Sequence, residues 1–81
     1  MKKIINDYGQ IKRWPKKDKD RQFVMNLLAE KFKQGIIYSE KKINGIIESS
    51  HIFDDIALLR RELISRKKLA RKNDGSEYWK I

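Results

Sequence analysis

The sequence predicts a small α+β domain, mainly helical, with three helices, a short strand after the first helix and a two-stranded hairpin at the end. Three observations predict it. Apolar residues recur at helical spacing in three segments, three β-favouring residues follow the first segment, and an Asp-Gly pair separates two short β-compatible runs near the C-terminus. The chain has 81 residues and no cysteine. We therefore expect a single domain whose stability comes from packing and not from disulfides.

The first two segments are a basic arm, residues 1–15, and the first helix, residues 16–34. Pro15 suits the approach to a helix start, and acidic residues in the first turn complement the helix dipole. Gly35 is expected to end the helix in the C′ position. The apolar face of this helix is expected to comprise Phe23, Val24, Leu27, Leu28 and Phe32.

The second helix is expected over residues 39–49, directly after the short strand at residues 36–38. Ser39 is a favourable N-cap, and isoleucines recur in the helix at i, i+3 and i+4. Gly45 inside this helix costs about 1 kcal/mol relative to alanine. Either it admits a close-packed neighbour or it is simply tolerated, and the second interpretation is favoured.

The third helix is expected over residues 54–67 and the hairpin over residues 68–81, with its turn at Asn73-Asp74-Gly75-Ser76. Either Asp54 or Asp55 can cap the helix. The inward stripe of this helix is expected to be Ile56, Leu59 and Leu63. This order of elements is that of a winged helix-turn-helix, in which the third helix is the recognition helix and the hairpin is the wing.

Positive charge is concentrated at the two ends of the chain. Residues 1–21 and residues 60–81 each carry eight Lys/Arg against three Asp/Glu, whereas residues 22–59 carry four against five. The net charge is +9. This asymmetry indicates a polyanionic partner, with nucleic acid before an acidic membrane surface. The alternative is a lysine-rich solvated surface with no such partner.

We expect the domain to bind double-stranded DNA through the third helix and the wing, as a transcriptional regulator or an accessory module of one. Arg61 faces outward with Ser65, and its planar guanidinium suits guanine or a phosphate. Basic wings and arms follow the phosphate backbone in other proteins. The further predicted DNA contacts are Lys68, Arg71, Lys72, Asn73, Lys80, Lys12, Arg13, Lys16 and Lys17, and the arm also contains Lys2, Lys3 and Lys19.

Other features favour an alternative, a protein-interaction module without DNA binding. Asp54 and Asp55 would bring carboxylates close to phosphates at the start of a recognition helix. Leu58 is apolar at an outward position, and one of Tyr78 and Trp79 must face outward because they alternate in a strand. RNA or single-stranded DNA is a third possible partner. A homodimer, or a complex with another regulatory protein, is also expected.

The chain offers little material for catalysis, so we expect neither an enzyme nor a cofactor. It has one histidine and no cysteine, too few for a metal site of the usual N/S type or for a catalytic triad. We interpret His51 and Asp55 as a structural cap at the start of the third helix, and Arg60 as part-buried and paired with a carboxylate such as Asp55. No signal peptide or membrane-spanning stretch is visible, which predicts a cytoplasmic protein without a membrane partner.

Several segments together have the pattern of a known family. They are residues 9–15, 28–32, 51–63 and 74–79, with Arg71. On these segments the chain resembles a small prokaryotic family of domains of unknown function, whose members occur alone or attached to helix-turn-helix transcriptional regulators. The resemblance implies a winged-helix-like fold and a link to regulation, and it brings no established activity. It also implies that such a domain, beside a separate DNA-binding module, can serve as the part that binds a partner or signal.

The chain departs from the family pattern at two positions. Ser50 stands where tryptophan is frequent, and Ser65 stands where aspartate is frequent. A site that depends on either side chain would therefore be altered in this protein.

Overall fold

The computed structural model describes residues 4–81, so Lys2 and Lys3 of the predicted arm lie outside the described residues. The elements are α1 (Asp18–Ala29), β1 (Ile37–Tyr38), α2 (Glu40–Ser50), α3 (Ile56–Ser65), β2 (Leu69–Arg71) and β3 (Tyr78–Lys80). The strands form one antiparallel sheet in the order β1-β3-β2. The predicted α+β class, mainly helical with three helices, is confirmed, and β1 joins the C-terminal hairpin as its third strand.

Helix α1 is shorter than predicted and ends at Ala29 instead of residue 34. The N–H groups of Lys31 and Phe32 donate to carbonyls three residues back, so the chain leaves the helix in tight turns. This brings the buried ring of Phe32 edge-on to Tyr38, with centroids 5.5 Å apart. The prediction that Gly35 ends the helix is wrong, because α1 already ends at Ala29; Gly35, with φ +82°, belongs to the separate turn that leads into β1.

The core lies between the three helices and the inner face of the sheet. Tyr38 and Tyr78 are cross-strand partners and both are buried. Of the predicted apolar face of α1, Phe23 is partly exposed, and Met25 is buried in its place. The residues of the core that lose essentially all solvent contact are Val24, Met25, Leu28, Phe32, Ile43, Ile47, Leu59, Leu63 and Leu69.

The segment before α1, predicted as an arm, is anchored to the body of the protein through Ile4 and Ile11. Ile4 and Ile11 are buried. The N–H of Ile11 donates to the Ser50 carbonyl, and the N–H of Ile52 donates to the Ile11 carbonyl. Because these two isoleucines are apolar, burial holds the segment along the connection between α2 and α3.

Helices α2 and α3 each begin at a residue whose side chain caps the helix. Ser39 Oγ accepts a hydrogen bond from the N–H of Lys42, and Asp55 Oδ1 accepts one from the N–H of Leu58, each at 3.1 Å. Ser39 is confirmed as the N-cap of α2, and Asp55 is the N-cap of α3. Helix α3 ends two residues before the predicted Lys67 because that residue adopts φ +62°, which ends the helical run.

Candidate nucleic-acid interface

A cleft of about 430 Å³ separates the outward side of α3 from strand β2 of the hairpin. Three arginines meet here, Arg60 and Arg61 from α3 and Arg71 from β2, and Ser65 lies beside them. The two elements therefore bring together three of the predicted contact residues, Arg61, Ser65 and Arg71, which are ten positions apart along the chain at most. All three are exposed to solvent.

Arg60 is held by a neighbouring helix and is half-buried. Its Nη1 atom donates to Oδ1 of Asn44 on α2 at 2.6 Å. The predicted pairing of Arg60 with the Asp55 carboxylate is wrong, because within the described chain Arg60 hydrogen-bonds Asn44 and forms no ion pair, while Asp55 caps α3. The amide of Asn44 accepts the hydrogen bond without cancelling the positive charge of the guanidinium.

The other wall of the cleft is built around Tyr78 and Glu40. Tyr78 Oη donates to Glu40 Oε1 at 3.3 Å. A methyl group added at Gly75 would lie 3.5 Å from Arg71 Nη1 and 3.9 Å from each of the two oxygens, so the hairpin turn packs closely over all three groups. Burial and the nearby Glu40 carboxylate raise the pKa of Tyr78, and the charges of Arg60 and Arg71 oppose this.

Most of the positive charge of α3 and the hairpin has no carboxylate partner. Within residues 4–81, Arg66 pairs with Asp18 at 2.8 Å and with Glu62 at 2.9 Å, and Lys72 pairs with Glu77 at 3.5 Å. The remaining basic residues of this part form no ion pair in the described chain: Arg60, Arg61, Lys67, Lys68, Arg71 and Lys80. Glu40 is the one carboxylate lining the cleft among the residues described, against three guanidinium groups.

The other predicted contact residues lie away from the cleft. Lys68 lines a groove with Arg66 beside α1. Lys72 and Lys80 line a groove around Trp79 on the outer face of the sheet. Asn73 is exposed in the hairpin turn. The predicted contacts before α1 are all exposed and do not line the cleft: Lys12, Arg13, Lys16 and Lys17.

The residues named for a protein interface are less accessible than predicted. Leu58 is half-buried, and Tyr78 is only 2% exposed. Trp79 is the outward member of the tyrosine–tryptophan pair and is half-buried. It lies in one row across the sheet with Ile37 and Ala70, its partners on the two neighbouring strands.

Sequence reasoning assigned no functional residue to α2, and so it missed Glu40 and Asn44. The two residues are one helical turn apart and contact Tyr78 and Arg60 respectively. The signal available in the sequence was this spacing of four, which also places Ile43 and Ile47 toward the core.

His51 has a structural position, as predicted. It is buried, and its ring satisfies backbone groups of both flanking helices. In the part of the chain that the structure covers, no three His, Asp or Glu side chains converge where a metal ion could bind. No helix there is both long enough and apolar enough to cross a membrane.

Comparison with known proteins gives one match. Residues 10–80 match the model of the family described as an uncharacterized protein conserved in bacteria (DUF2087). No curated protein and no solved structure matches the chain.

Proposed function

The chain belongs to the bacterial family DUF2087, and we propose that it is a non-enzymatic winged helix-turn-helix domain that binds duplex DNA, as a transcriptional regulator or an accessory module of one. The observation that carries the proposal is the cleft where Arg61 of α3 and Arg71 of the hairpin meet. Guanidinium groups from two elements can contact base edges and phosphates at the same time.

The topology supports the proposal. A winged helix needs a strand after its first helix that joins the C-terminal hairpin, and here β1 pairs with β3 in the sheet order β1-β3-β2. In that arrangement α3 is the recognition helix and the hairpin is the wing. Arg61 and Ser65 would then face the major groove, and Arg71 would face the adjacent phosphates.

The position of the two acidic residues before α3 is compatible with the proposal. Asp55 Oδ1 accepts a hydrogen bond from the N–H of Leu58, so this carboxylate is directed at its own helix. The negative charge there is partly offset by the positive end of the helix dipole. Asp54 is exposed and has φ +54°, which places it in the turn ahead of the helix.

The test is titration of a labelled mixed-sequence duplex, followed by fluorescence anisotropy over a series of salt concentrations. If the domain neutralises about six phosphates, the logarithm of the association constant falls with the logarithm of salt with a slope near −5. No detectable binding at about 50 mM salt would overturn the proposal.

A matched pair of double variants locates the contact. Arg61→Ala with Arg71→Ala is expected to reduce the magnitude of the salt slope by about 2. Lys31→Ala with Lys41→Ala removes the same charge from exposed positions that do not line the cleft, so it is expected to leave the slope unchanged. Equal losses from both variants would indicate non-specific attraction to the whole basic surface.

A further inference from the structure

A second groove, of about 610 Å³, lies between β1 and the side of α2 that faces away from α3. Both apolar and basic side chains line it. The isoleucines are Ile36, Ile37 and Ile46, and the lysines are Lys31, Lys33 and Lys42. No carboxylate lines this groove among the residues described. We refer to it as the β1–α2 groove.

The β1–α2 groove continues along α2. An adjoining depression of about 460 Å³ shares Ser39, Lys42 and Ile46 with it and adds Lys41, Gly45 and Ser49. Gly45 weakens the interior of a helix, yet a Cβ there would meet nothing within 4 Å. The absent side chain therefore serves no packing purpose within the described chain, and it leaves the adjoining depression open beside Lys42 and Ile46.

Two of the isoleucines that line the groove are exposed to solvent. Ile36 is 41% exposed and Ile37 is 59% exposed, and they are adjacent. Strand β1 is also an edge of the sheet, and no strand within residues 4–81 pairs with its outer side. A bound segment can thus contact both apolar side chains and free backbone groups.

We propose that the β1–α2 groove binds an acidic segment of a partner protein that carries apolar side chains. The lysines attract the acidic side chains of the segment, and the isoleucines favour apolar side chains because both lose water-exposed apolar area on contact. A symmetric pairing of two copies through this groove is disfavoured because the same lysines would face one another. Duplex DNA is disfavoured as the occupant because phosphates form no favourable contact with the three isoleucines, and its affinity would come from the lysines alone.

The β1–α2 groove is separate from the arginine cleft because the two use opposite sides of α2. Successive residues of a helix turn by about 100°. Lys42, Gly45 and Ser49 therefore point roughly opposite to Glu40 and Asn44, which line or support the cleft. The domain can therefore bind a partner protein whether or not the arginine cleft binds DNA.

The experiment is selection of short peptides from a random displayed library on the immobilised full chain. The expected result is enrichment of peptides that combine Asp or Glu with Val, Ile, Leu or Phe. NMR titration with the best peptide should shift the amides of Ile37, Tyr38 and Ile46. Enrichment of basic peptides, no enrichment, or shifts confined to α3 and the hairpin would overturn the proposal.

Two variants separate this proposal from a failure to fold. Gly45→Gln adds a helix-favouring side chain into open space, so the fold should be retained while peptide affinity falls about tenfold or more. Lys42→Glu should weaken the same peptide, and Lys12→Glu, an equal charge change at an exposed position outside the groove, should not. Circular dichroism checks each fold.

The DNA titration is repeated with the selected peptide present, so that the two proposals fail separately. The peptide should leave DNA affinity of the full chain unchanged, and Gly45→Gln should leave it unchanged as well. Peptide binding without DNA binding would remove only the proposed function. An unaltered peptide affinity in Gly45→Gln, or displacement of the peptide by duplex DNA, would remove the β1–α2 groove as a protein site.

Discussion

The Nε2 atom of His51 accepts a hydrogen bond of 2.9 Å from the backbone N–H of Asp55. Because Nε2 is the acceptor, Nδ1 carries the proton and donates to the Ile47 carbonyl at 2.7 Å. The ring also packs edge-on to Phe53, with centroids 4.7 Å apart. One buried imidazole thus joins the end of α2 to the start of α3 and fixes the turn between them.

Replacing His51 should lower the unfolding free energy more than replacing Asp55, the N-cap of α3. His51→Ala removes a buried ring and leaves the buried Ile47 carbonyl and the part-buried Asp55 N–H without their partner, so we expect a loss of about 2–3 kcal/mol in unfolding free energy. Asp55→Ala removes one capping hydrogen bond and should cost about 1 kcal/mol. Urea denaturation measures both, and a His51→Ala loss no greater than that of Asp55→Ala would contradict this account.

The caps and the hairpin turn could be predicted because they are local. Ser39 and Asp55 each accept from an N–H three residues on, and Asp74 accepts from the N–H of Ser76 within the hairpin turn. Such patterns depend on the residue types at fixed short spacings. The end of α1 could not be predicted in the same way, because it depends on Phe32 reaching Tyr38 across the turn.

The candidate site was predictable only in part, for a similar reason. Placing Arg61 and Arg71 together needs only the order of elements. The partner of Arg60 lies sixteen residues away on another helix, and nothing in the local sequence distinguishes Asn44 from a nearer carboxylate. The sequence did not reveal the lysines of the β1–α2 groove, because residues 22–59 carry four basic and five acidic side chains and so have almost no net charge. In the folded chain the lysines line the groove, and no acidic side chain of the described residues lines it with them.

The ion pair between Asp18 and Arg66 should make the unfolding free energy depend on pH in the acid range. Hydrogen bonds from Arg66 and then Gln22 lower the pKa of Asp18. A carboxyl whose pKa is lower in the folded state stabilises the fold above its unfolded pKa and loses that contribution as pH falls through the folded pKa. We therefore expect stability to decline below about pH 4, where an unfolded aspartate takes up its proton.

The Asp18→Asn variant should be less stable than the native chain near neutral pH. Its unfolding free energy should also fall by a smaller amount on acidification. Urea midpoints at pH values on either side of about 4 measure the difference. Asp20→Asn is the control, because it removes the same charge from the first turn of α1 and forms no ion pair within the described chain. An equal acid response in Asp18→Asn and the native chain would refute the linkage.

Substitution of Arg60 should mainly lower stability, and substitution of Arg61 should mainly weaken DNA binding. Arg60→Ala removes the 2.6 Å hydrogen bond to Asn44 and the packing of a half-buried stem, and should cost about 1–2 kcal/mol. Arg61→Ala is exposed and should change stability by less than about 0.5 kcal/mol. In the DNA titration, Arg61→Ala should reduce the magnitude of the salt slope by about 1.

A double-mutant cycle tests the Arg60–Asn44 contact itself. Combining Arg60→Ala with Asn44→Ala should cost less than the sum of the two single losses, because the second change removes an interaction already lost. Additive losses would show that the hydrogen bond contributes nothing to stability. The result would leave the DNA-contact role of Arg61 untouched.

Gly45 should be replaceable by alanine with a gain in stability. It lies in the interior of α2, its φ is not in the left-handed region, and a Cβ would meet nothing within 4 Å. Gly45→Ala should therefore raise the unfolding free energy by about 1 kcal/mol. Thermal unfolding measures the gain. A loss would show that the backbone at this position needs the freedom of glycine.

At Lys67 the reverse exchange, from a residue with a side chain to glycine, should increase stability. Its φ of +62° is the left-handed conformation of a helix C′ residue, which a side chain with a Cβ adopts at a cost of about 1–2 kcal/mol. The N–H groups of Lys67 and Lys68 donate to the carbonyls of Ile64 and Leu63, and those hydrogen bonds require this conformation.

Lys67→Gly keeps both hydrogen bonds and removes the strain, so we expect a gain of about 1 kcal/mol, measured by urea denaturation. Part of the gain is offset because glycine also makes the unfolded chain more flexible, and because a positive charge is lost at the end of α3. Lys67→Ala loses the same charge without relieving the strain, so it should be no more stable than the native chain. A Lys67→Gly variant less stable than Lys67→Ala would mean that the lysine side chain, and not the backbone conformation, determines how α3 ends.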